Sequence, residues 1–504
     1  MKIRKLSEYI DVLKENDLLV SAGDAPIDAE VLCLTYDTRE LTGQALFVCK
    51  GAHFKEEYVK YAMDGGAVAY VSEKKYDSVT GGIIVKDIRR AMPHLAKLFF
   101  DRAPEKVTSV AVTGTKGKST TAYYMRAILD TYLDAMERPK CAVISSIDTY
   151  DGVVSKESHL TTPEAIELYR HFDNAVNSGI SHLVMEASSQ ALKYGRVDGI
   201  NFDVAAFLNI GTDHISPVEH ADFEDYYTSK LKIFDSCKCA CINTDADFAE
   251  RTLGAAEGKC RVVTFGSHET DDVYIRDVEK RDDGIYFTAR TPEYEREMCI
   301  TMPGLFNVSN AGAAIAMSYA LGIPEKYVAE GLSTARAAGR MQLYESLDKD
   351  VTVIVDYAHN EMSFEALFSS VKVEYPGRKI IAVFGCPGKK AHLRRKDLPR
   401  VASEYCDKII ITEEDSGEEP FSDIAADIAA NIAQGVPYDI IENRGEAIRL
   451  AINDFAGSKK IILFTGKGEE TRQKRGVEYI DCPSDVEYTL EFLREYDNAA
   501  IPAN

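Results

Sequence analysis

The sequence predicts an α/β protein with three domains, and three observations carry that expectation. Apolar β-type runs alternate with helical patterns along most of the chain. At 504 residues the chain is long enough for about two to four domains, each with its own core. Several of the apolar runs end in polar or glycine-rich turns, where open parallel sheets hold ligands. The expected regions are residues 1–103, 104–338 and 339–504.

In the first region, short strands such as Ala45-Leu-Phe-Val48 and Ala67-Val-Ala-Tyr-Val71 alternate with helical stretches. A helix over Arg89–Asp101 then leads to Arg102-Ala-Pro104, read as a linker. The middle region carries strands at Val110–Thr113, Cys141–Ile144, His182–Met185, Val204–Leu208 and Arg261–Phe265, with helical patterns between several of them. That alternation implies a mostly parallel sheet. Val273–Arg290, turning at Asp282-Asp-Gly284, reads as a hairpin added to it. A helix over Asn307–Leu321 is stopped by Gly322 and Pro324. The last region has strands at Val351–Val355, Ile380–Phe384, Lys408–Thr412 and Lys460–Phe464.

A net charge of −22, from 81 acidic and 59 basic residues, argues against a general nucleic-acid or membrane-surface binder. No apolar run reaches the length of a membrane span, and Met1-Lys-Ile-Arg-Lys lacks the apolar core of a signal peptide. Eleven scattered cysteines fit a reducing cytoplasm better than a disulfide framework. Cys237-Lys-Cys239-Ala-Cys241 has a metal-site look, but period-two spacing puts the thiols on one strand face, where a buried structural role is expected.

Val110-Ala-Val-Thr-Gly114-Thr115-Lys116-Gly117-Lys118-Ser119-Thr120 joins a strand to a helix through a glycine-rich turn. Such a turn lets backbone N–H groups approach phosphate, and the helix N-terminus adds positive potential. Lys118 is expected to reach the β- and γ-phosphates of a nucleoside triphosphate, with Ser119 on Mg²⁺. The glycines lie closer together than in the common P-loop, with two residues between Gly114 and Gly117. Glu186 at one strand end and His214 after the next could meet the same Mg²⁺. Lys230 lies in an amphipathic helix, and by spacing alone it reads as a surface lysine.

In the last region, Asp356 could bond a ribose hydroxyl and His359 could contact nucleotide or phosphate; a helix cap and a satisfied histidine are the plainer alternatives. The run Lys389–Lys396 concentrates positive charge after a strand end, and its Arg395 suits a carboxylate. Gly466-Lys-Gly468-Glu-Glu470 resembles a second phosphate loop, but its acidic pair suits a cationic ligand. A nucleotide loop, a metal carboxylate, a basic clamp and an acidic amine pocket together point to carboxylate activation. Phosphorylation by ATP turns a poor acyl donor into an acyl phosphate, which an amine then displaces.

Taken together, these residues resemble the Mur ligases of peptidoglycan synthesis over nearly the whole chain, and most of all the members that extend the dipeptide precursor. Gly-Thr-Lys-Gly-Lys-Ser-Thr at 114–120 is similar to the family's short phosphate loop. Leu34-Thr-Tyr-Asp37-Thr38-Arg39 resembles a uridine-nucleotide module, with Thr38 a contact. Thr161, Thr162, Ser188, Gln190 and Arg196 match the segment that holds UDP-N-acetylmuramoyl-dipeptide, and Glu186 and His214 match magnesium positions. Lys230 matches a lysine carbamylated by CO₂. Asn307, Asn310, Arg340, Asp356 and His359 match adenine, ribose and phosphate contacts. The resemblance implies an N-terminal uridine-nucleotide-binding domain, a central P-loop ATPase domain and a C-terminal Rossmann-like domain that binds the amino acid. It also implies ATP, Mg²⁺ and a lysine carbamate, with UDP-N-acetylmuramoyl-dipeptide and a diamino acid as partners; a monomer is expected.

One departure bears on the amino acid. Family members that add meso-diaminopimelate carry Asp-Asn-Pro-Arg where this chain has Glu413-Glu414-Asp415-Ser416-Gly417, without the arginine. Acidic residues there favour a terminal ammonium, so lysine is expected, held by Arg395, Glu414, Asp415, Gly466 and Glu470. Ornithine and meso-diaminopimelate stay open, as do a folylpolyglutamate-type ligase and a non-catalytic nucleotide-binding homologue.

Overall fold

Strand Thr108–Thr113 sits at the centre of the largest sheet because its Val110-Ala-Val run is buried. Such uninterrupted apolar runs belong to parallel strands covered on both faces. The computed structural model describes residues 3–51, 54–158, 160–212, 215 and 219–500. Its contacts divide the chain into two compact units, Met1–Tyr274 with Arg290–Tyr294 and Gly312–Gly331, and Ile275–Ala289 with Glu295–Ala311 and Leu332–Asn504.

The first unit contains a smaller sheet ordered Leu19–Ser21, Gly82–Val85, Ala67–Ser72, Ala45–Val48, Cys33–Thr35. The last four strands are parallel, and Leu19–Ser21 runs antiparallel at the edge. Helix Ile88–Phe99 follows, with Asp87 accepting from the amides of Arg89 and Arg90 as its N-cap. The linker read at Arg102-Ala-Pro104 is instead a packed 3₁₀ turn, Ala103–Lys106. Its Ala103 joins one core with Phe99, Phe100, Tyr169 and Phe172, so apolar contact continues where polar spacing was expected.

In the main sheet of this unit, Ala142–Ile144, His182–Glu186, Thr108–Thr113, Val204–Phe207, Cys239–Asn243 and Arg261–Gly266 lie in that order, all parallel. From Thr108–Thr113 the chain crosses to Ala142–Ile144, returns to His182–Glu186, then passes to Val204–Phe207 on the other flank. The order therefore reverses at Thr108–Thr113, the place where open parallel sheets hold ligands beyond the strands' carboxyl ends. Cys237, Cys239 and Cys241 are buried, as their spacing suggested.

The second unit has strands Gly284–Arg290 and Glu295–Ile300 beside Val273–Arg281, with the expected turn at Asp282-Asp283. Its larger sheet is ordered Gln342–Glu345, Val351–Asp356, Lys460–Thr465, Lys379–Phe384, Lys408–Ile411, Tyr438–Ile440, parallel except for the first strand. Alternation divides each strand between two cores: Ile380, Ala382 and Phe384 pack in one, Ile381 and Val383 in the other. Asp356, Thr465, Phe384 and Ile411 end adjacent strands, so the turns after them share one edge. No helix among the described residues is long and apolar enough to cross a membrane.

Candidate active site

Gly117 adopts φ +82°, a left-handed conformation that glycine takes without strain, and it starts helix Lys118–Asp134. The first-turn amides of a helix have no partner one turn back, which makes such a start an anion seat. The loop before it is held from the neighbouring strand end. Asn209 Oδ1 accepts from the Lys116 amide at 2.9 Å, and Asn209 Nδ2 donates to Lys116 O at 3.2 Å. Thr115 Oγ1 accepts from the Gly211 amide at 3.0 Å and lies 3.1 Å from the Tyr226 hydroxyl. Lys118 Nζ donates to the carbonyls of Gly114 and Thr115 at 3.0 and 3.2 Å, across the mouth of the loop.

Ser119 and Glu186 meet through Ser146, a residue that no sequence motif marks. Ser119 Oγ lies 3.0 Å from Ser146 Oγ, and Glu186 Oε1 accepts from both the amide and the hydroxyl of Ser146 at 2.8 and 3.1 Å. Glu186 is 1% exposed. A hydroxyl and a buried carboxylate at the loop's edge are hard oxygen donors of the kind Mg²⁺ takes. His214 lies outside the described residues.

Lys230 corrects the surface reading. Helix Phe223–Leu231 turns it inward, leaving it 1% exposed, with Nζ donating to Gly114 O at 2.8 Å and lying over the Tyr226 ring. The lysine thus faces the phosphate loop from behind.

Next to Glu186, the buried Thr162 donates its hydroxyl to Glu186 O at 2.8 Å and accepts from the Ser188 amide at 3.0 Å. Ser188 caps helix Ser189–Lys193, the helix that carries Gln190. Arg196 donates to Thr162 O at 3.0 Å and pairs with Glu164 at 2.7 Å, while its Nε is buried without a partner. Lys50, likewise unmarked by any sequence motif, pairs with the same Glu164 at 2.6 Å, and burial pushes its ammonium below the usual lysine range. Thr162, Ser188 and Arg196 are therefore together. Thr161 precedes Thr162 in the chain, and Thr38 lies on a 3₁₀ turn, Thr38–Glu40, whose Glu40 pairs with Arg170.

In the second unit, Asn307 and Asn310 are linked at the start of helix Asn307–Ala320, Nδ2 of the second donating to Oδ1 of the first at 2.8 Å. Arg340 stacks over the Tyr357 ring at 4.9 Å. Asp356 accepts from the amides of Met341 and Ala358 at 2.9 and 2.8 Å, and His359 Nδ1 lies 2.7 Å from Tyr357 O. Arg395 is buried, bonded to both oxygens of Glu419 at 2.7 Å and to Asp427 at 2.9 Å; its Nε has no partner. Glu414, Asp415, Gly466 and Glu470 lie close to one another, with Lys467 among them. Its side chain is 4% exposed and pairs with Asp415 at 3.0 Å and Glu470 at 2.6 Å. Gly466 has φ +95°, and a Cβ there would lie 2.3 Å from Glu414 Oε2.

The chain matches the family described as Mur ligase middle domain over residues 112–318 and that described as Mur ligase, glutamate ligase domain, over 339–468. It is 35% identical over 499 residues to the UDP-N-acetylmuramoyl-L-alanyl-D-glutamate–L-lysine ligase of Enterococcus faecalis, spanning 97% of each chain. The chain belongs to the Mur ligase family. A UDP-N-acetylmuramyl-tripeptide synthetase of Bifidobacterium longum is 36% identical, with 92% of this chain and 94% of that one covered. The solved structure of a UDP-N-acetylmuramoyl-L-alanyl-D-glutamate–2,6-diaminopimelate ligase has the same fold, with TM-score 0.68 at 23% identity over 98% of this Mur ligase and 100% of that chain.

Among the second-unit residues of this Mur ligase, Glu414 carries the clearest electrostatic signature. Burial pushes its carboxyl from 4.5 up to about 7, against the pull of Arg394, Arg444 and Lys467. A carboxyl whose folded value is raised holds its proton longer in the folded state, so stability falls as pH rises from about 4.5 through about 7. Glu414→Gln is expected to remove that fall and to gain on the order of 3 kcal/mol over the parent above pH 8, because each tenfold change in proton affinity is worth about 1.4 kcal/mol. Urea titrations at pH 5 and pH 8.5 check this; parallel curves at both values would contradict it.

Proposed function

We propose that this Mur ligase joins L-lysine to the D-glutamate of UDP-N-acetylmuramoyl-L-alanyl-D-glutamate at the expense of ATP, in peptidoglycan precursor synthesis. The observation that carries the reading is the end-to-end likeness to the lysine ligase of Enterococcus faecalis, 35% identical over 97% of both chains. The geometry of the phosphate loop supports it. We assign the reaction to the cytoplasm, where ATP and nucleotide-linked precursors are made.

The D-glutamate carboxylate attacks the γ-phosphorus, ADP leaves, and an acyl phosphate forms. The α-amine of lysine then attacks the acyl carbon and inorganic phosphate departs. Both partners of the first step are anions, and the amides after Gly117 together with Lys118 offset their repulsion. Thr162, Ser188 and Arg196 would hold the UDP-linked substrate beside the loop, with Thr38, Thr161 and Gln190 completing its contacts. Asn307, Asn310, Arg340, Asp356 and His359 would serve the nucleotide.

The donor set at the loop fits Mg²⁺: Ser119 and Glu186 would hold it, with His214 as a further ligand, and when bound it neutralises phosphate charge. Carbamylation of Lys230 by CO₂ would turn the buried ammonium into a carboxylate facing the same loop.

The amino-acid pocket is acidic but partly balanced. Lys467 is shared between Asp415 and Glu470 and neutralises one of them, and Arg475 pairs with Glu413 at 2.7 Å, which leaves one carboxylate and the buried Glu414 as surplus. A side-chain ammonium suits that balance, whereas a second carboxylate meets like charge and lacks the arginine that would end the Glu413–Gly417 segment. Phosphate release with UDP-N-acetylmuramoyl-L-alanyl-D-glutamate and a panel of lysine, ornithine and both diaminopimelate isomers tests the reading. Lysine is expected to exceed meso-diaminopimelate in kcat/KM by about 30-fold or more, the scale of one unpaired buried charge. Equal values would end the acidic-pocket reading, and no phosphate release with any amino acid would end the ligase reading.

A further inference from the structure

Glu470 is held at both oxygens. The Tyr357 hydroxyl donates to Oε1 at 2.6 Å, and Lys467 Nζ donates to Oε2 at 2.6 Å. A carboxylate fixed this way presents its remaining lone pairs in one direction, which is what recognition of an ammonium requires. Tyr357 is itself fixed from the opposite side: Arg340 stacks over its ring at 4.9 Å, and His359 meets it edge-on at 5.2 Å while bonding its carbonyl at 2.7 Å. Burial and the Glu470 carboxylate push the phenol well above its ordinary range, so it remains the donor. One tyrosine therefore joins two residues assigned to the nucleotide with one assigned to the amino acid.

We propose that Tyr357 is a positioning residue that aims Glu470 at the side-chain ammonium of lysine and couples occupancy of the nucleotide contacts Arg340 and His359 to affinity for lysine. The inference rests on the functional reading above. A nucleotide bound at Arg340 and His359 stiffens the ring they already hold, and the stiffened hydroxyl keeps Glu470 in its binding direction. By reciprocity, lysine bound at Glu470 tightens nucleotide binding by the same factor.

The test compares Tyr357→Phe, which keeps the ring and loses the hydroxyl, with the parent and with Glu470→Gln, all as full-length proteins. KM for lysine is expected to rise about tenfold in Tyr357→Phe, the scale of one charge-assisted hydrogen bond, with kcat at saturating lysine within about twofold. The double variant should be no worse than Glu470→Gln alone, because both changes remove one shared contact. A non-hydrolysable ATP analogue, titrated with and without saturating lysine, should bind tighter with lysine in the parent and equally in Tyr357→Phe. A purely structural role would lower kcat and thermal stability without altering that difference. An active parent alongside a Tyr357→Phe variant with unchanged lysine KM and undiminished coupling would overturn this proposal alone. A parent that releases no phosphate with any diamino acid would overturn the functional reading and this proposal with it.

Discussion

Lys118→Ala is expected to lower phosphate release by about a thousandfold or more while the fold survives. The ammonium reaches across the loop to the carbonyls of Gly114 and Thr115, where it waits for an anion rather than supporting a core. In the first chemical step a carboxylate approaches a polyphosphate, and charge builds on the transferring group. A fixed cation beside that group, in a site shielded from water, contributes far more than the same charge in solvent. Loss of one such contact costs on the order of 3–4 kcal/mol in the transition state, which sets the thousandfold scale. Packing changes little, because the half-buried side chain adds no apolar surface to the sheet. Thermal unfolding of the variant should match that of the parent within about 2 °C, a small shift for a chain of this size. Rates near those of the parent would refute the phosphate-loop assignment.

The fold is legible in the sequence where one physical rule dominates. Strands buried on both faces must be apolar throughout, so Val110–Val112, Ile380–Phe384 and Ile461–Phe464 stand out. Helix Asn307–Ala320 ends where Gly322 and Pro324 imply. Motif residues that end strands are legible for the same reason, since the turn after a buried strand has little cause to be polar unless something binds there. What stays hidden are contacts made between distant segments. Ser146 bridges Ser119 and Glu186, but nothing about the second of two serines after a short strand marks it. Lys467 lies inside a glycine-rich turn that reads as acidic, and only folding shows it pairing with Asp415, 52 positions earlier. Lys230 reads as a surface lysine because helical spacing gives periodicity but not the direction in which a helix is turned. The packed turn at Ala103–Lys106 has the proline and charges of a linker, while it also packs against the distant helix Ala165–Asn177.

Lys230→Ala should reduce turnover by about a hundredfold or more, and the way activity returns should separate two explanations. The ammonium donates to Gly114 O at 2.8 Å, so its removal alone could loosen the phosphate loop. That loss is ordinary hydrogen bonding, about 1 kcal/mol, because Lys118 still donates to the same carbonyl at 3.0 Å. A carbamate would act differently, because it adds a negative charge whose partner would be a metal held by Ser119 and Glu186. If the carbamate is the acting group, formate or acetate entering the vacated space should restore part of the rate, since each supplies a carboxylate where the side chain ended. Loop loosening would not respond to carboxylates, and Lys118→Ala, assayed beside it, should show no rescue at any concentration. The parent incubated with ¹³C-bicarbonate should give a carbamate carbon signal that Lys230→Ala lacks. Formation requires a neutral amine and CO₂, so that signal should weaken as the solution is acidified. A variant that neither recovers with carboxylates nor differs from the parent in its ¹³C spectrum would leave Lys230 as a buried support for the Gly114 carbonyl and nothing more.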